Sequence, residues 1–146
     1  MRELNSLLYN AIKTHGYFRD LTGATVTDPR IYKTRTPVKN PIDANKPAYA
    51  VYYQSGTSKP YPIIYPIQKN DYTFVIEVYG KEDTLVSEIC YRLEKLFAHK
   101  NFTTPSFLVN YCYATRGSCS FDDARQLYFE TISIRFSNIL ALDEAS

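Results

Sequence analysis

Residues 72–101, YTFVIEVYGKEDTLVSEICYRLEKLFAHKN, change period midway, and this constrains the fold more than any other feature. Tyr72, Phe74, Ile76 and Val78 alternate with Thr73, Val75, Glu77 and Tyr79. Period two in β-branched and aromatic residues predicts a strand. After Gly80, Leu85, Ile89, Leu93, Leu96 and Phe97 recur three or four apart, one face of a helix. Asp83 suits the positive end of that helix, and Glu88 stands four residues before Arg92. His99 and Lys100 suit the negative end, and Asn101 can stop it. A strand leading into an amphipathic helix can bury its apolar face under that helix, so a helix layer on a sheet is expected.

The remaining elements follow from the same periods. Leu4, Leu7, Leu8, Ala11 and Ile12 predict a helix over 3–14, with Gly16 placed to end it in a left-handed cap. Such a short helix needs a surface to dock on. Gly23, Pro29, Pro37 and Pro41 interrupt residues 17–46, which read as a long loop or arm with at most a short strand near 30–32. Strands are predicted at 47–54, 107–114 and 126–137. Residues 61–67 hold two prolines and read as an edge strand or extended connector. Residues 115–124 read as a polar connection. The expectation is one α+β domain over residues 1–146, a mainly antiparallel sheet of about four strands with two helices packed on one face. The other face carries Tyr49, Val51, Tyr53, Val75 and Tyr79, with no helix left to cover it, so another copy of the chain is the expected cover.

Charge is distributed unevenly along the 146 residues. Residues 29–69 hold seven Lys or Arg against one acid, Asp43, while the remainder holds ten basic and fourteen acidic residues. Arg30, Lys33, Arg35, Lys39, Lys46 and Lys59 are therefore candidate contacts for an acidic partner, joined by Tyr49 and Tyr53 from the sheet. Fourteen tyrosines and no tryptophan fit half-wet sheet faces and subunit contacts alike. A small nucleic-acid-binding module is the alternative, because tyrosines alternate with the cations. The spacing matches no nucleic-acid signature, and a net charge of +2 is low for that class.

No catalytic constellation can be assembled from the sequence. His15 and His99 fall near predicted helix ends, the glycines are isolated, and no metal-ligand spacing occurs. No catalytic, cofactor or metal residue is therefore assigned, and no cofactor is expected. Cys90, Cys112 and Cys119 read as reduced thiols, the last two as neighbours across a hairpin. No apolar run reaches membrane-spanning length, and no membrane partner is expected.

With these elements in order, the chain resembles the tail-terminator, or tail-completion, proteins of long-tailed bacteriophages. The likeness runs through ELNSLLYNAI, PAYAVYYQ, DYTFVIEVYG, EDTLVSEICYRLEKLF and QLYFETISIRF, and leaves out the basic, proline-rich part of 17–46. It implies a structural virion protein without an active site. It further implies a ring of six copies that caps the head-proximal end of the tail tube and meets the head connector. The partners implied are the chain itself, tail-tube protein and connector, with DNA only passing through. The location implied is the head–tail interface of a virion assembled in the host bacterial cytoplasm. Another neck or connector component of such a particle is the nearest alternative.

Overall fold

The computed structural model describes residues 2–34, 42–58 and 70–142. In chain order the elements are α1 (Arg2–Lys13), α2 (Gly16–Thr22), β1 (Ile31–Lys33), β2 (Ala48–Ser58), β3 (Asp71–Gly80), α3 (Asp83–Phe97), β4 (Phe102–Thr103), β5 (Phe107–Arg116), β6 (Ser120–Asp122) and β7 (Leu127–Ala141). The strands form one sheet in the order β1-β2-β3-β7-β5-β4, with β6 on β7 beside the end of β5. All pairings are antiparallel except β1 with β2, which is parallel.

The expected sheet of about four mainly antiparallel strands with two helices is therefore corrected. Seven strands form a mixed sheet curled into a half-barrel, and three helices pack on it. The additional strands are two or three residues long, too short to show a period, and backbone pairing with a longer neighbour defines them. Residues 115–124, read as a connection, contain the end of β5 and all of β6, both paired to β7. Between them β5–β6 carries one more residue than β7, and Gly117 donates its amide to the Thr131 carbonyl at 2.8 Å. This is a β-bulge, and it removed the alternation the eye looks for. Residues 17–46, read as a loop or arm, contain α2 and β1 and bury Phe18 and Ile31.

The core lies between the helices and one face of the sheet. Phe74, Ile76 and Val78 of β3 face inward beside Ile132, Ile134 and Phe136 of β7. Onto them pack Leu4, Leu8 and Ile12 of α1, Phe18 of α2, and Val86, Ile89, Leu93 and Phe97 of α3. Each helix thus brings its apolar stripe to one contiguous cluster. Glu3 fixes α1 to the far side of the sheet, accepting from Thr104 Oγ1 and Ser106 Oγ at 3.0 Å each. Among the described residues, Glu130 carries charge into this core. Glu130 is almost wholly buried and accepts from Arg116 Nε at 2.8 Å and Ser87 Oγ at 3.1 Å. Both carboxylate oxygens are satisfied, which a buried acid requires.

Gly16 does not cap α1; it opens α2. The left-handed cap is Gly23, at φ 73°, with its amide on the Arg19 carbonyl. A Cβ at Gly23 would stand 2.0 Å from the Asn45 carbonyl oxygen. Gly23→Ala should therefore cost more than the roughly 1–2 kcal/mol of the left-handed conformation alone, read as a lower urea midpoint at unchanged slope. A midpoint equal to the parent's would contradict the close approach of residues 23 and 45.

Candidate functional site: the outer face of the sheet

The face turned away from the helices is built by register. Tyr49, Tyr79 and Phe129 lie opposite one another on β2, β3 and β7. Their rings stack, at 5.2 Å and 18° for the first pair and 5.9 Å and 28° for the second. Tyr32 of β1 extends the row, 6.1 Å from Tyr49. The Arg125 guanidinium lies over Tyr79 at 4.9 Å and pairs with Asp122. Tyr49, Val51, Tyr79 and Leu127 are all buried here, with Ile42 packed against them. Side chains of the chain itself, Tyr32, Ile42 and Arg125, cover this end of the outer face.

Arg30 holds that cover in place. It is only 1% exposed and has φ 60°. Its Nε donates to the Ala48 carbonyl at 3.0 Å and its Nη2 to the Lys46 carbonyl at 3.3 Å. Its Nη1 reaches Asp28 Oδ2 at 3.4 Å and the Tyr32 hydroxyl at 3.3 Å. Asp28 is the hub on the acid side, accepting from Tyr32 at 2.7 Å and from Lys46 Nζ at 3.0 Å. Burial opposes ionisation of Asp28, but the hydrogen bonds from Tyr32, Lys46 and the Arg30 amide, with the guanidinium charge, hold its carboxyl at about 2. The same burial and the hydrogen bond to Asp28 push Tyr32 up to about 12.

The rest of the face is more open. Glu77 accepts from Tyr53 at 2.9 Å and Tyr79 at 2.6 Å; burial first, then that acceptor, raise both phenols. Arg135 donates to Asp71 Oδ2 through Nε at 3.1 Å and Nη2 at 2.8 Å, while Ser137 Oγ donates to the same oxygen at 3.1 Å. The Arg135 guanidinium lies 5.2 Å from the ring of Tyr113, which is 47% exposed and packs on Tyr111. His99 Nδ1 and the Tyr111 hydroxyl share a hydrogen bond at the margin.

The residues singled out from sequence fare differently. Arg30, Lys46, Tyr49 and Tyr53 come together on this face, but as internal partners: two are buried, and the other two bond Asp28 and Glu77. Lys33 is exposed at the end of β1. Arg35, Lys39 and Lys59, like the 61–67 connector, lie outside the described residues. Asp28 was missed because it stands one residue before the basic stretch whose charges were counted. The spacing Asp28-Pro-Arg30 was the available signal.

All three cysteines are free thiols; burial pushes Cys112 up to about 12 and, with Glu130 nearby, raises Cys90 as well. Cys112 and Cys119 are not hairpin neighbours: Cys112 faces Phe136 on β7, and Cys119 lies in the bulge between β5 and β6. Among the described residues no group of three or more His, Cys, Asp or Glu could hold a metal ion. The arrangement sets tyrosine rings beside internally paired charges.

The fold defines a class: a helix layer on a curled sheet whose central strand, β7, is inserted between two strands joined through a helix. It is shared with a solved structure. A chain from the virion of a native gene transfer agent particle superposes with a TM-score of 0.68 at 9% identity, covering 96% of both chains. No protein-family model matches the sequence, and no curated protein matches it.

Proposed function

We propose that this chain is a structural protein of a tailed, phage-like particle, closing the head-proximal end of the tail tube as a ring of six copies. In this reading it joins the tube to the head connector, works without cofactor or catalytic step, and lets DNA pass. Its place is the head–tail interface of a virion assembled in the bacterial cytoplasm. The observation that carries the reading is the end-to-end fold likeness to a chain of the gene transfer agent virion. The sequence resemblance to tail terminators points the same way. A second support is that the charged groups of the outer face are matched internally, as suits a building block better than an enzyme.

The test is direct. The purified chain should sediment with tail tubes and appear in electron micrographs as a six-fold ring on one end only. Sedimentation apart from tubes, together with binding to isolated head connector alone, would move the chain to another neck position. Binding to neither would sink the proposal.

A further inference from the structure

We propose that copies of this chain join head to tail, the basic groove beside β1 of one copy receiving the acidic corner beside β6 of the next. This rests on the reading of the chain as a ring subunit and names the two patches that meet. The groove, about 460 Å³, is lined by Arg2, Asn5, Tyr9, Lys33 and Tyr52. Arg2 and Lys33 are exposed, and among the described residues neither side chain has an ion-pair or hydrogen-bond partner. Lys13 adds charge from over the Tyr9 ring. The nearest acid along α1, Glu3, is already bonded to Thr104 and Ser106. The groove is therefore a cationic cleft with tyrosine walls, built to take carboxylates.

The matching carboxylates lie at the other side of the sheet. Among the described residues β1 pairs with β2 and β6 with β7, while residues 81–83 follow Gly80, which stands opposite Tyr128 of β7 as Phe121 of β6 does, so the acidic corner lies beyond β2 from β1. Glu82 and Asp83, just past Gly80, and Asp123, just past β6, are exposed beside this end of β7. Of the cations at that corner, Arg125 is paired to Asp122, which leaves Lys81 against three acids. Two different, complementary patches make a heterologous contact, which repeats from copy to copy and closes a ring where the rotation allows. A nucleic acid would use only the basic half and leave the acidic corner without a role.

Charge reversal tests this in the isolated chain by sedimentation velocity. The parent should associate with rising concentration, less so at high ionic strength. Arg2→Glu with Lys33→Glu, or Glu82→Lys with Asp123→Lys, should each raise the half-assembly concentration at least about tenfold while leaving far-ultraviolet dichroism and thermal unfolding unchanged. Mixed in equal amounts, the two variants should assemble again with both alternating, because each reversed patch meets its new complement. If a reversal disturbs the fold, the Gln pair at residues 2 and 33 gives the same first readout. A parent that stays monomeric at every concentration overturns the proposal. So does a reversal that assembles like the parent, or a mixture that does not recover. Loss of salt-sensitive binding to random duplex DNA by the groove variant, with assembly intact, assigns the groove to phosphates instead. Rings that form by this contact yet ignore tail tubes would sink the tail-tube reading and leave the contact standing.

Discussion

Replacing Phe136 with alanine should lower the unfolding free energy by about 3–5 kcal/mol, the range for removing a buried aromatic ring from a packed core. Phe136 is fully buried. Its ring meets Phe74 of β3 at 5.7 Å, Phe102 of β4 at 6.1 Å and Phe97 of α3 at 6.4 Å, all near edge-to-face. It thus ties the central strand to a strand on each side and to the helix above. Urea unfolding monitored by tyrosine fluorescence would show the loss as a lower midpoint. A change under about 1 kcal/mol would mean that the site collapses around the smaller residue, against the close packing described here.

Arg30→Ala should be comparably damaging, at about 2–5 kcal/mol, because two backbone acceptors lose their donor at about 1–3 kcal/mol each. The loss is larger than a surface cation's because it strands the Ala48 and Lys46 carbonyls and leaves Asp28 with its other donors alone. Lysine should not rescue, since a single ammonium cannot reach the separate acceptors that the guanidinium fork spans. The network also sets an acid limit. Asp28 has a folded pKa of about 2, below its ordinary 3.8, so its contribution is complete above pH 4 and is lost as pH falls towards 2. In Arg30→Ala that carboxyl should titrate higher and the acid transition should begin at higher pH. In Asp28→Asn this part of the transition should vanish. An acid midpoint unmoved by either change would place the acid-sensitive group elsewhere.

The strongly periodic elements were legible in the sequence. β3 and α3 were read from Phe74, Ile76, Ile89 and Leu93, and these positions are buried as expected. β7 was read only to residue 137, because its alternation breaks there. Phe136 and Ile139 are both buried, and Asn138 between them has φ 52°, which shifts the phase by one residue. Strands defined by pairing alone, β4 and β6 among them, leave no mark in the side chains. The outer face was read correctly as apolar near Tyr49 and Tyr79 but wrongly as uncovered. Tyr32 and Ile42 pack against it, and Arg30, read as a contact for an acidic partner, is instead buried beside Tyr49, because charge alone does not tell where a side chain finds its partners. The Asp28–Tyr32–Arg30 set is local in sequence, and only its reach to Lys46 and Ala48 is not.

The position of β7 has a consequence for how the protein is made. It follows every other described element in the chain, yet it lies between β3 and β5 and pairs with β6 as well. Until residues 127–141 leave the ribosome, β3 has one open edge, β5 lacks its long partner, and Phe97 waits without Phe136. A nascent or prematurely ended chain therefore exposes strand edges and apolar rings, the features that chaperones and proteases engage. The sheet, and with it the Phe136 contacts to both flanks, is therefore completed only after β7 has been made.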